Sequence, residues 1–325
     1  LHVMDLPDGE PKRLTEMEIT EAQPTWSPDG TNVAFVTWDD KDGGSIYNVN
    51  VDGRPRPSKI TSTSAIYGTP NWAANNRIVF TKGSAQNMKD AAGPFTPNAA
   101  DDLCWISADG GAINFIMKTN GKGNPHFVKN DDRIYLNGRG TLSSVRWDGT
   151  DAKDVVTVTG RMSHGGTRAP SASFMRMAPE GDKVLAQVGI DLFVVTVPKL
   201  GQKPTISVSD PSSSQFPSWQ LTEIGGQFPT WSGNAKKAHW SIGNAHFIYD
   251  LDEAKVYSDS VTVAKKEKEK LEKAKSKEEK EKEKADKEAT EKDLTDEEKA
   301  EAKKKEEDPG YQPLEFRVEM TAVKD

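Results

Sequence analysis

The sequence has little cysteine and no long apolar run, and both shortages narrow the class of protein. Cys104 is the only cysteine among 325 residues, so no disulfide can form within the chain. It lies in a strand-like run, where we expect a small buried side chain rather than a reactive thiol. No stretch approaches the roughly 18 consecutive apolar residues of a membrane-spanning helix, so no membrane span is expected. The formal net charge of −7 argues against a nucleic-acid-binding surface.

The motifs of the common catalytic sites are also missing. There is no Gly-x-Ser-x-Gly elbow, no Walker loop, no dinucleotide fingerprint and no His-Glu-x-x-His. Neither Cys-x-x-Cys nor His-x-His occurs, so the compact metal-ligand spacings are absent. The acidic run at 39–43 lacks the spacing of a calcium-binding EF-hand loop, and a turn is expected there. We therefore expect no catalytic residue, no metal site and no cofactor in this chain.

What the sequence does contain is an internal repeat. Its clearest copy is Trp26-Ser27-Pro28-Asp29-Gly30, and weaker copies follow along the chain. The anchor positions are 46, 55, 50 and 54 residues apart, at Trp26, Trp72, Phe127, Met177 and Trp231. A period of about 40–50 residues with strand-like runs inside each unit predicts a β-propeller. We expect the three tryptophans to be buried between blades.

The strand pattern inside each repeat predicts the blades. Four short strand-like runs separated by turn residues make one antiparallel blade. The predicted fold class is therefore all-β, a propeller of four-stranded antiparallel blades at 22–62, 68–119, 123–160, 172–224 and 227–320. Residues 1–15 look like the second half of a further blade. We accordingly interpret the chain as a fragment, with any signal peptide lying upstream.

A charged tract interrupts the last predicted blade. Residues 264–308 hold 16 Lys and 18 Asp or Glu and no aromatic residue, so they cannot form a core. Glu and Lys at i, i+4 spacing favour helix, and a break between two helices is expected at 289–293. The predicted organisation is propeller blades over 1–263, a helical or disordered insertion over 264–308, and a closing strand over 309–325. That last segment would lead toward a missing C-terminal domain.

The histidines give one candidate binding site. His164 lies in a loop of small residues between two predicted blades, followed by Arg168, and such loops rim the central channel of a propeller. We name His164 and Arg168 as candidate binding residues, with a plain flexible connector as the alternative. His239 and His246 share one face of the hairpin that turns at 243–244, in diagonal positions. They are expected to be ordinary strand histidines, with a metal-binding pair as the alternative.

The residues 23–61, with the Trp26–Gly30 motif, Val33-Ala34-Phe35 and Val51-Asp52-Gly53, resemble a repeat of TolB-type propellers. The same repeat occurs in the propellers of tricorn-like proteases, prolyl-oligopeptidase relatives and a group of bacterial amidohydrolases. The segments 226–232 and 311–319 resemble the end of the propeller in those amidohydrolases. In that family a metal-dependent hydrolase domain follows the propeller. The charged tract departs from the TolB pattern.

The resemblance implies a function in binding rather than catalysis. The first hypothesis is a non-catalytic propeller segment of a larger periplasmic or secreted amidohydrolase-like protein, which packs on and gates a hydrolase domain outside this chain. The second is a TolB-like propeller that binds a peptide or protein. The third is the propeller of a serine peptidase of the prolyl-oligopeptidase or tricorn type. The expected partner is thus the missing C-terminal catalytic domain, a protein or a peptide, and not a nucleic acid.

Overall fold

Five antiparallel sheets follow one another along the chain and confirm the predicted propeller. The computed structural model describes residues 1–6, 9–86, 100–162, 166–199, 202–285 and 310–317. The predicted helix break at 289–293 lies outside these residues. Within each sheet the strands pair mostly in sequence order, because short hairpins connect successive strands.

The strands are named in chain order. The opening two-stranded sheet pairs β1 (His2–Val3) with β2 (Lys12–Arg13). Blade 1 consists of β3 (Thr20–Trp26), β4 (Asn32–Asp39), β5 (Gly43–Asn50) and β6 (Ser58–Lys59). Blade 2 consists of β7 (Ile66–Trp72), β8 (Arg77–Gly83), β9 (Asp102–Ser107) and β10 (Asn114–Lys118).

The second half of the chain continues the pattern. Blade 3 begins with β11 (Gly123–His126), β12 (Arg133–Gly138), β13 (Thr141–Arg146) and β14 (Lys153–Thr159). Blade 4 consists of β15 (Phe174–Met177), β16 (Lys183–Val188), β17 (Asp191–Thr196) and β19 (Ser218–Gln220). Blade 5 consists of β20 (Gln227–Trp231), β21 (Lys237–Ile242), β22 (Ala245–Asp250) and β23 (Leu314–Arg317).

Blade 3 has a fifth strand that the sequence pattern does not reveal. The chain leaves blade 4 after β17, adds β18 (Thr205–Ser207) parallel to β14 at the outer edge of blade 3, and returns to blade 4 as β19. Ile206 and Val208 are buried in the core between the two blades. The excursion therefore joins two blades through backbone hydrogen bonds as well as side-chain packing.

Apolar layers between neighbouring blades form the core, as stacking of amphipathic sheets requires. Trp72 and Trp231 are each 8% exposed and lie in the layers between blades 1 and 2 and between blades 4 and 5. Their predicted burial is confirmed. Trp26, predicted to be buried in the same way, is 50% exposed, so that prediction was wrong.

The exposure of Trp26 follows from the unit that precedes blade 1. Each buried anchor packs against the blade before its own, and the described residues before blade 1 form the two-stranded sheet of β1 and β2. Leu14, in the loop after β2, packs with Val33, Phe35 and Val49 of blade 1. The short two-stranded sheet leaves the innermost strand of blade 1 uncovered at Trp26.

The charged insertion opens as a helix, but it begins earlier than the tract. Helix α1 (Leu251–Ala285) follows β22 directly. Its first turns pack on blade 5: Ala254 is buried, and Tyr311 packs its ring against Tyr249 and Tyr257. The side chains over 264–268 are exposed. In the described part of the chain, no helix is long and apolar enough to cross a membrane.

The predicted hairpin that turns at 243–244 and the predicted turn at 39–43 are both confirmed. Trp240 lies opposite Phe247 across the hairpin, and the rings stack with centroids 5.7 Å apart. At the predicted turn, Asp39 Oδ1 accepts hydrogen bonds from the backbone N–H groups of Lys41 and Asp42, at 2.9 and 2.7 Å. These bonds lower the pKa of Asp39.

Candidate functional site

Proline sets the shape of the innermost strands, which line the centre of the propeller. In four blades this strand contains a residue with positive φ followed by proline: Gln23-Pro24, Thr69-Pro70, Asn124-Pro125 and Phe228-Pro229. Each pair coincides with a shift in strand register. Proline has no N–H to give to the ladder and is tolerated at such bulges. Blade 4 has Met175-Arg176 instead, and its inner strand pairs without a shift.

Three of these bulges meet at a cavity of about 320 Å³ at one end of the channel. The first strands of blades 1 to 3, the loop before β15 and the β12–β13 hairpin supply its wall. The lining residues are Gln23, Ile66, Tyr67, Gly68, Thr69, Thr81, Ala100, Gly121, Lys122, Gly123, Asn124, Asn137, Gly138, Arg139 and Ser173. Nine of these fifteen residues have polar or charged side chains, and the described part of the wall contains two cations and no carboxylate.

Side-chain amides connect neighbouring blades across this wall. Gln23 Oε1 accepts a hydrogen bond from the backbone N–H of Thr69, which ties blade 1 to blade 2. Asn124 Nδ2 donates to Asn137 Oδ1 at 3.0 Å, and Asn137 Nδ2 donates to the carbonyl of Ser173 at 3.4 Å. The cavity is therefore shaped by bonded groups and is preformed.

Thr69 is the most strained residue of the wall. Its φ of 45° is rare for a β-branched residue. Its hydroxyl oxygen is buried and has no hydrogen-bond partner. Such a buried, unpaired polar atom costs about 1–3 kcal/mol, and strain of this kind concentrates at binding sites. The strain at Thr69 therefore marks the cavity wall as a candidate binding site.

The charged groups around the channel are cationic. Lys122 Nζ is held by Ser143 Oγ at 2.7 Å and lies 3.5 Å from Asp154. Arg139 is exposed, and within the described residues it forms no ion pair. Arg176, on the innermost strand of blade 4, likewise has no acidic partner among them. Burial lowers the pKa of Arg176 to about 10. A partly buried cation without a counter-charge favours an anionic ligand.

The structure describes only one of the two candidate binding residues named from the sequence. His164 lies outside the described residues. Arg168 is exposed in the connection from blade 3 to blade 4. That connection ends at Ser173, which lines the cavity, so the segment leads to this end of the channel. The role of both residues stays a prediction. The sequence did not single out Gln23, Thr69 or Asn124; the signal for them was the recurring proline that follows each.

Outside the cavity, Cys104 and His126 are both buried. Cys104 is buried, and burial raises the pKa of its thiol to about 11. No group of three or more His, Cys, Asp or Glu side chains that could hold a metal is found among the described residues. His126 is buried: Nε2 accepts from the backbone N–H of Met177 at 2.8 Å, and Nδ1 lies 2.8 Å from the carbonyl of Asn124. Its position is structural, between blades 3 and 4.

Fold and cavity together define a five-bladed β-propeller with a polar, cation-lined cavity in its channel. No protein-family model matches the chain. Over 54 residues it is 39% identical to the Tol-Pal system protein TolB of Alcanivorax borkumensis, a match that covers 17% of this chain and 12% of that protein. The TolB structure from Acinetobacter baumannii superposes with a TM-score of 0.53 and 13% identity, over 77% of this chain and 57% of that one.

A putative TolB from Agrobacterium tumefaciens superposes with a TM-score of 0.43 and 15% identity, over 68% of this chain and 83% of that one. The chain spans just over half the length of the Acinetobacter baumannii structure that it matches. The comparisons establish a TolB-like β-propeller fold.

Proposed function

We propose that this chain is a non-catalytic β-propeller that binds an acidic polypeptide segment at the cavity of its channel. The observation that carries the proposal is the cavity wall, which combines the strained Thr69 with Lys122 and Arg139 and has no carboxylate among its described residues. The positive charge of this wall attracts anions, and the low-dielectric surroundings of the cavity concentrate the electrostatic field.

The neutral groups of the cavity suit a polypeptide. The side-chain amides of Gln23, Asn124 and Asn137 form hydrogen bonds to the backbone or to each other. Their remaining donor and acceptor positions can form hydrogen bonds with the backbone of a bound peptide. Arg139 presents a planar fork that pairs with a carboxylate through two hydrogen bonds. A cavity of about 320 Å³ accommodates the side chains of a short segment rather than a whole domain.

In a narrower form of the proposal, the partner is a metal-dependent hydrolase domain of the same exported, periplasmic or secreted protein. This form is supported by the amidohydrolase-like segment at 311–319 and by a second cavity of about 410 Å³ beside it. Phe247, Tyr249 and Tyr311 line that cavity, and Ile224 on its edge is 76% exposed. Apolar side chains of this kind suit contact with another domain.

The coding sequence beyond Asp325 discriminates the narrower forms. A His-x-His after a strand supports the amidohydrolase, and a Gly-x-Ser-x-Gly supports the serine peptidase. A stop codon supports a free TolB-like binding propeller. In every form we expect no hydrolysis of amide or ester substrates by this chain, with or without added zinc, and we expect His164 and Arg168 to affect only contacts with the partner.

A peptide-binding measurement tests the proposal. The probe is a fluorescein-labelled peptide of alternating aspartate and glycine, compared by anisotropy with its lysine counterpart. We expect the aspartate peptide to bind, salt to weaken binding, and Arg139→Asn to weaken it further. Asparagine tolerates the positive φ of residue 139, so this variant should fold. Arg54→Asn, at an exposed arginine of blade 1, is the matched control. Equal binding of the two peptides, or no effect of Arg139→Asn, contradicts the proposal.

A further inference from the structure

Blade 5 carries two histidines whose ring nitrogens meet on one face of the sheet. His239 lies on β21 and His246 on β22, in the diagonal positions expected from the hairpin, with Ser241 directly opposite His246. His239 Nδ1 and His246 Nε2 are 3.3 Å apart, and the two rings are tilted by 31°. The register of one hairpin therefore brings two imidazole nitrogens together without any loop or flexible segment.

This face lies on the side of the blade that points away from blade 4. The alternate residues Ala238, Trp240 and Tyr249 pack into the core between blades 4 and 5. Because successive side chains of a strand point to opposite faces, His239 and His246 project to the other side. Both side chains are half-buried, so a small ion from solvent can reach them.

The distance between the two nitrogens matches a shared metal ion. With Zn–N bonds of about 2.0–2.1 Å and a tetrahedral angle, two ligand nitrogens are about 3.3–3.4 Å apart. The two nitrogens share a hydrogen bond in this structure, and a metal ion would take the place of the proton between them. Ser241 Oγ lies 3.4 Å from His246 Nδ1. Ser241 Oγ can accept a hydrogen bond from the Nδ1–H group of His246. This bond favours the tautomer in which Nε2 carries no proton and can bind the metal.

We propose that His239 and His246 form a two-histidine site for a divalent transition-metal ion, with Zn²⁺ as the ion that fits the nitrogen spacing. Imidazole nitrogen is a preferred ligand of zinc, copper and nickel and a poor one for magnesium and calcium. Two protein ligands leave the other positions of a tetrahedral shell to water or to side chains of a partner. Ser241 acts as a positioning residue. The site is separate from the channel cavity, so this proposal does not depend on the proposed function.

Calorimetric titration of the purified chain with ZnCl₂ tests the site. We expect one Zn²⁺ per chain and no binding of Mg²⁺. Loss of one ligand in His239→Asn or His246→Asn should abolish that binding, and Ser241→Ala should weaken it about tenfold. His2→Gln, at an exposed histidine elsewhere in the chain, is the matched control and should leave binding unchanged. Circular dichroism confirms that each variant is folded.

Electron paramagnetic resonance with Cu²⁺ in place of zinc gives a second readout that a structural role would not change. The spectrum should show two coordinated nitrogens in the native chain and one in either histidine variant. The proposal is overturned by the absence of stoichiometric zinc, by unchanged affinity in folded His239→Asn and His246→Asn, or by a copper spectrum with only one nitrogen.

Discussion

Single residues in this propeller depend on whether a neighbouring blade covers them. Trp231 is buried against blade 4, and its Nε1 donates to the carbonyl of Arg176 at 3.0 Å. Trp26 holds the equivalent position in blade 1 but faces solvent. The repeat therefore sets the position of each tryptophan in its blade. The neighbouring unit determines whether the side chain is buried and how much it contributes to the free energy of unfolding.

Truncating the two tryptophans should separate these contributions. We expect Trp231→Ala to lower the free energy of unfolding by about 3–5 kcal/mol, because it opens a cavity in the core and leaves a carbonyl unpaired. Trp26→Ala should cost less than about 1 kcal/mol, as for other exposed positions. Urea denaturation of both variants measures the difference, and equal losses would show that Trp26 is covered in solution.

His126 links stability to pH. Burial first, and then the nearby Arg176 cation, lower its pKa from 6.5 to about 3, so the folded protein keeps the imidazole neutral. The unfolded chain takes up a proton near pH 6.5, so the free energy of unfolding should fall as the pH is lowered from about 6.5 toward 3. One proton contributes at most about 1.4 kcal/mol per pH unit.

Denaturant titrations between pH 7 and pH 4.5 on the native chain and on His126→Gln measure this dependence. We expect the slope of stability against pH to be shallower in the variant, because one of the protons bound on unfolding is gone. Parallel slopes for the two proteins would show that His126 is not a buried neutral imidazole.

At the scale of elements, the excursion through β18 is the feature that strengthens the contact between blades 3 and 4. Ile206→Ala should lower the free energy of unfolding by about 2–4 kcal/mol, because this side chain is buried in the core shared by the two blades. Thr205→Ala, at an exposed neighbour on the same strand, is the control and should change little. A small effect of Ile206→Ala would show that the strand is a peripheral attachment.

The charged helix has a packed first turn at Ala254 and exposed side chains at 264–268. Deleting 264–308 and joining the ends should leave the thermal midpoint nearly unchanged, because the described side chains at 264–268 bury no apolar surface. Ala254→Glu, in the packed first turn, should lower the midpoint clearly. A large drop on deletion would show that the tract is a docked structural element.

The sequence predicts the elements better than it predicts the connections between them. The hairpins and the five blades follow from local patterns of alternation and turn residues, as the Trp240–Phe247 pair shows. The parallel pairing of β18 does not, because it joins segments far apart in sequence and its three residues carry no distinct pattern. The bulges at Gln23, Thr69 and Asn124 were marked only by the following proline, and their meeting at one cavity depends on blade closure.

At the scale of the whole molecule, five blades follow one another along the chain, and the candidate cavity lies where the innermost strands of blades 1 to 3 meet. The net charge of the chain is −7, yet the described residues of the cavity wall include two cations and no carboxylate. Under the proposed function, this local positive charge directs acidic ligands to the cavity and away from the outer surface. Composition alone could not reveal this cavity, because its positive charge is local and the net charge of the whole chain is negative.

Hydrogen–deuterium exchange on the chain with the aspartate–glycine peptide tests the central claim most directly, because it shows where the peptide binds. The account predicts slower amide exchange at 68–69 and 121–124, the segments that line the cavity, and no change on the outer strands. The same protection should be absent with the lysine peptide. Protection confined to the cavity of blade 5 around Tyr311, or to the outer surface, would contradict binding in the channel.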